Sequence, residues 1–83
     1  MPTNERFKTA DLALVAVLLL FLPESLEAID RVNPQKVLFT FRNGAELDSL
    51  TKKYWARELR VEPQAYAQQM KQAKVRIYNE DPL

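Results

Sequence analysis

Eleven apolar residues in a row, Leu12 to Leu22 (LALVAVLLLFL), constrain this chain more than anything else in it. As a helix the run is about 16 Å long, roughly half of a bilayer's ~30 Å hydrocarbon core, so it cannot cross a membrane. Its length also suits the apolar part of a secretory signal, and Arg6 and Lys8 precede it. Three details oppose that reading. Asp11 abuts the run and Glu5 dilutes the positive segment. The following LPESLEA offers no pair of small residues for cleavage, because Leu26 stands two positions before Ala28. Removing the run would also strip the remainder of its main apolar element. A cytoplasmic protein is the expectation.

The run therefore reads as a core helix. Thr9 is taken as its N-cap, and Asp11 in the first turn suits the positive end of the helix dipole. Pro23 stops it. A helix apolar on every side must be covered by every other element or by a second copy. With 83 residues and no cysteine, the chain is marginal as an isolated fold, and self-association is a usual remedy.

Residues 25–42 read as a β-hairpin. Val37, Phe39 and Phe41 alternate with Leu38, Thr40 and Arg42, a period of two rich in strand formers. Asn33-Pro34-Gln35-Lys36 supplies the turn, with Pro pre-set at its second position. The first strand, around Leu26 to Val32, is the nearest partner for the second. The alternative is a short helix opened by Pro23-Glu24-Ser25-Leu26, with Leu26 and Ile29 on one side. Asn43-Gly44 ends the hairpin.

A second helix is expected from Ala45 to about Leu59, with Leu47, Leu50 and Tyr54 on one stripe and Thr51, Trp55 and Glu58 beside it. Val61-Glu62-Pro63 breaks the chain and restarts it, Pro63 being suited to a first helical position. A third helix runs to about Tyr78 on a face of Tyr66, Met70, Ala73 and Ile77. Residues 79–83 form an acidic tail. The expectation is one α+β domain over residues 1–83 with an ordered core of about 9–78. Its order is helix-strand-strand-helix-helix, with the helices on one face of a β-hairpin.

Thr9-x-Asp11-Leu12-Ala13-Leu14, Ile29-Asp30-Arg31 leading by Pro34 to Val37-x-Phe39-x-Phe41, Tyr54-Trp55, Val61-x-Pro63, Tyr66, Lys74 and Tyr78 follow one another in this order. That order resembles a family of short bacterial and phage proteins catalogued as a domain of unknown function. The chain departs from the family at Glu62, where aspartate often precedes the proline, and at Phe21-Leu22-Pro23-Glu24, where a glycine turn is usual. The resemblance implies the same element order and a bacterial or mobile-element setting. It carries over no functional residue.

Absences exclude most chemistry. With no cysteine and no histidine there is no zinc finger, thiol nucleophile, Ser-His-Asp triad or His-ligated metal or haem. With Gly44 alone, neither a GxGxxG turn nor a Walker loop can be written. Glu27 with Asp30 and Glu46 with Asp48 are the carboxylate pairs, and the second pair is explained as first-turn residues of a helix. No base stands beside Ser25 or Ser49. No enzymatic activity, cofactor, metal or small-molecule substrate is expected.

Net charge of +1 conceals an asymmetry. Residues 1–51 balance at −2 and residues 52–78 at +5, and Glu80-Asp81 returns −2. Lys52, Lys53, Arg57, Arg60, Lys71, Lys74 and Arg76, interleaved with Tyr54, Trp55 and Tyr78, are the candidate contacts. Lysine and arginine hold phosphates and aromatic rings stack bases, so the segment can serve nucleic acid. Arg57 and Arg60 share a helix face if the helix reaches that far.

A plain solvated face accounts for the same residues, since late basic residues suit a helix dipole. An acidic protein partner is a third reading. No recognition-helix pattern is present in 45–78. Trp55 is the best single contact residue, because tryptophan dominates interface hot spots. Its structural alternative is to close the core over the hairpin. The functional expectation is a small non-catalytic interaction module, self-associating as a homodimer. The alternative is a nucleic-acid-binding accessory protein using the segment 52–78.

Overall fold

The computed structural model describes residues 6–79; residues 1–5, and 80–83 of the expected tail, lie outside them. Its elements in chain order are β1 (Arg6–Thr9), α1 (Leu12–Phe21), β2 (Leu26–Asn33), β3 (Lys36–Arg42), α2 (Ala45–Ala56) and α3 (Pro63–Asn79). The α+β class and the helix-strand-strand-helix-helix order hold. One strand, β1, precedes them, so regular structure is already present at Arg6–Thr9, ahead of the core expected to start near residue 9. Both pairings are antiparallel, and the sheet order is β1-β3-β2. The hairpin thus gains a third strand on the far side of β3.

Local chemistry fixes the joints. Thr9 ends β1 and does not cap α1; its Oγ1 accepts the Asp11 N–H at 3.1 Å. Asp11 is the cap: its Oδ1 accepts the N–H groups of Ala13 at 3.0 Å and Leu14 at 3.4 Å. An aspartate in extended backbone satisfies donors that the first turn cannot, and its charge suits the helix dipole. Pro23–Ser25 forms a single 3₁₀ turn, after which β2 starts at once. The strand expected from about Leu26 therefore holds, and the alternative helix with Leu26 and Ile29 on one side does not form, because the 3₁₀ turn ends at Ser25 and both residues lie in β2.

The inner sheet face carries Phe7, Leu26, Ile29, Val37, Phe39 and Phe41, packed with Leu14, Val15, Leu18 and Leu19 of α1, Leu47 of α2 and Ala73 of α3. Leu14 through Leu19 are six consecutive buried residues, so α1 is covered around its circumference. Each fully buried leucine or valine contributes about 1.5–3 kcal/mol, which makes α1 the main source of stability. Both α2 and α3 pack against α1 rather than chiefly on each other. The second helix stripe (Leu47, Leu50, Tyr54) and the third (Tyr66, Met70, Ala73, Ile77) are buried or half-buried as the spacing implies.

The edges of the sheet are short or irregular. β1 has four residues. β2 shifts register twice, between Leu26 and Ala28 and between Arg31 and Asn33. Bulges of this kind twist an edge away from further pairing.

Candidate interaction surfaces

Three aromatic side chains meet the first turn of α1 or its neighbours. The Tyr54 hydroxyl donates to Asp11 Oδ2 at 3.2 Å, and the Tyr66 hydroxyl donates to the Ala13 carbonyl at 3.1 Å. Burial, then the Asp11 charge, holds both phenols above their ordinary pKa. Tyr54 is therefore a tie between α2 and α1 and not a stacking platform. Trp55 stands edge-on to it, with ring centroids 5.0 Å apart. At 65% exposure Trp55 does not close the core over the hairpin.

The basic candidates do not form one helix face. Successive residues of a helix turn by about 100°, so Lys52 and Lys53 point to different sides. Lys52 shares its side with Trp55 and pairs with Asp48 at 3.2 Å. α2 ends at Ala56, not near Leu59. Arg57 sits in the left-handed region at φ 63°, ψ 32°, while its N–H donates to the carbonyls of Lys53 and Tyr54. The helix therefore never reaches Arg60, and Arg57 and Arg60 share no helix face. Lys71 and Lys74 do share one, on α3, with the exposed side chains Val75 and Tyr78. Arg76 projects from another side of that helix.

A surface that the linear sequence hides lies on the outer face of the sheet. Alternation along β1 and β3 turns Phe7, Phe39 and Phe41 inward and Arg6, Lys8, Leu38, Thr40 and Arg42 outward. The register sets Arg6 opposite Arg42 and Lys8 opposite Thr40. β2 contributes Ala28 opposite Thr40 and Asp30 opposite Leu38. Arg6 Nε meets Glu27 Oε1 at 3.0 Å, a bridge that spans β3. Cations thus gather along β1 and the end of β3, and carboxylates along β2. Arg6, Lys8, Ala28, Asp30 and Arg42 are all exposed, and no described element covers them. Among the described residues Lys8, Arg42 and Asp30 make no ion pair. Sequence spacing cannot find this cluster, because its cations come from two strands more than thirty residues apart.

Thr40 is the exception on that face. It is 3% exposed, and its Oγ1 has no hydrogen-bond partner. It lies in the central strand between Lys8 and Ala28, beside the crossing Arg6–Glu27 bridge.

Open clefts of about 250 Å³ beside Gly44 and about 280 Å³ beside Phe21 are smaller than pockets that enclose a drug-sized ligand, which run to about 300–1,000 Å³. Among the described residues no three acidic side chains gather to hold a metal ion, and no helix is long and apolar enough to cross a membrane. No family model matches the chain, and no curated protein or solved structure matches it either.

Proposed function

We propose that this chain is a small non-catalytic interaction module that associates with a second copy of itself. One observation carries the reading: the described helices all pack on the inner side of the sheet, and among the described residues no element lies over the outer side. The motive for association has shifted from the one composition implied. The apolar run is already wrapped by its own chain, and the exposed apolar side chains Phe21, Val32, Trp55, Val75 and Tyr78 are scattered over four elements. The outer sheet face is a regular surface that no described element covers. Light scattering over a range of protein concentrations tests the reading. A dimer that dissociates on dilution is the expected result, and a strict monomer at millimolar concentration sinks it.

The second reading is nucleic-acid binding by the basic segment 52–78 of a bacterial or mobile-element accessory protein. Its support is the face of α3 on which Lys71 and Lys74 flank Val75 and Tyr78, the last at 75% exposure. Its test is binding to generic single- and double-stranded DNA and RNA across a salt series. Affinity that falls steeply with salt and drops again in a Lys71→Gln/Lys74→Gln variant supports it. Absence of binding at low salt removes it.

A further inference from the structure

The outer sheet face is complementary to itself. Its cations lie on one flank, Arg6 and Lys8 on β1, and its carboxylates lie on the other, Glu27 and Asp30 at β2. The central strand between them shows Leu38 and Thr40 at its middle and the exposed Arg42 at its end, opposite Arg6. From this arrangement we infer that two copies pack outer face to outer face about a two-fold axis running along β3. The inference rests on the self-association reading and names its surface.

The geometry follows from the strand order. A two-fold rotation about an axis parallel to β3 and lying between the two sheets exchanges left and right flanks. β1 of one copy then lies over β2 of the other, and β3 lies over β3. Lys8, level with Ala28 in its own sheet, meets Ala28 of the second copy, with that copy's Glu27 and Asp30 on either side. By symmetry the same contact is made twice, as a two-fold interface requires. An axis across the strands would instead set β1 over β1 and β2 over β2 and bring like charges together on both flanks, whereas the axis along β3 leaves one like-charge meeting, Arg42 over Arg42 at the strand end. The flank charges therefore select one of the two simple face-to-face arrangements.

Size sets the strength. The three-stranded face is about 14 Å wide and about 23 Å long at its seven-residue central strand, and shorter along the four-residue β1. That is roughly 320 Å² a side, well below the ~800 Å² a side of a standard stable interface. The dimer is accordingly weak, and it depends on salt because its pairing charges are exposed.

Charge reversal with rescue is the deciding experiment, read by sedimentation equilibrium at low salt. Both substituted residues are exposed, and circular dichroism monitors the fold. Lys8→Glu alone sets a carboxylate against Asp30 of the other copy, and Asp30→Lys alone sets an ammonium against Lys8. Each variant is expected to self-associate about tenfold more weakly than the parent protein, or weaker still. Mixed one to one, the two variants recover opposite charges at both contacts and return to within a few-fold of the parent affinity. A salt titration of the unsubstituted protein gives a readout that needs no variant, with dissociation strengthening as salt rises.

A dimer indifferent to both reversals and to salt overturns this surface while leaving self-association standing. A mixture no tighter than its components also overturns it. A protein that is monomeric throughout overturns both.

Discussion

The Tyr54 hydroxyl and the first turn of α1 share one anion: Asp11 caps the helix with Oδ1 and accepts the phenol with Oδ2, at 3.2 Å. Two elements 43 residues apart are thereby tied through a single side chain. The helix that supplies most of the core is anchored at the end where its backbone donors are otherwise unmet.

Replacing Asp11 by alanine removes the cap and the phenol's acceptor together. A lost cap costs about 1 kcal/mol and a hydrogen bond to a charged group about 1.5–3 kcal/mol. The expected loss is about 2.5–4 kcal/mol in urea unfolding. Asp11→Asn keeps a cap oxygen and an amide that can meet Tyr54, so it should recover at least half of that loss. Equal losses in both variants would mean that the carboxylate charge alone matters.

Alkaline pH loosens the same joint. Tyr54 and Tyr66 both resist ionisation in the folded protein, chiefly because of burial and next because of Asp11. The unfolded chain ionises its tyrosines near about pH 10, so above that pH it holds fewer protons than the folded chain. The stability that these phenols contribute is complete below about pH 10 and is lost as pH rises from there toward their folded values. Unfolding free energy should fall as pH rises above about 10, with a shallower fall in Tyr54→Phe. An unchanged slope in that variant would show that Tyr54 plays no part in it.

Arg57 carries the cost of a left-handed backbone without a glycine's freedom. Among the described residues it is the one non-glycine with positive φ. A left-handed residue with a Cβ costs roughly 1–2 kcal/mol. Arg57→Gly should raise stability by about 1 kcal/mol, seen as a Tm increase of several degrees.

Gly44, by contrast, occupies a place that does not need it. Its backbone is extended at φ 179°, and a Cβ built there meets nothing within 4 Å. It precedes α2 without a capping side chain. Gly44→Ser adds a cap and reduces the freedom of the unfolded chain, for a gain of about 0.5–1 kcal/mol in thermal unfolding.

Thr40 holds a buried hydroxyl with no partner. Such a group forfeits about 1–3 kcal/mol of hydration. Thr40→Val keeps the β-branched shape in the central strand and removes the hydroxyl. The expected gain is about 1 kcal/mol, and a loss would reveal a bond that forms only in solution.

Legibility from sequence followed the range of the interactions. The helix stripes of α2 and α3 and the Val37–Phe41 strand are set by neighbours three, four or two positions away, and they appear where spacing places them. β1 is different. RFKT is too short to show a period, and it becomes a strand because β3, more than thirty residues on, offers it an edge. That distant pairing also moved the cap of α1 from Thr9 to Asp11, since Thr9 was taken into the sheet. The end of α2 turned on a single backbone conformation at Arg57, which no pattern of polarity announces. The surfaces behaved likewise: Lys71 and Lys74 share a side by helical spacing, whereas the cation flank of Arg6, Lys8 and Arg42 exists only once β1 meets β3.

The two register shifts in β2 have a consequence for stoichiometry. A strand that is regular only from Ala28 to Arg31 gives an incoming strand four residues to pair with, and β1 gives no more. Sideways growth of the sheet is thus closed off at both edges. A flat face met by its own copy is consumed in the meeting and leaves nothing for a third. On the face-to-face packing proposed above, an assembly through the sheet would end at two copies, with the irregular edges opposing growth into a fibre.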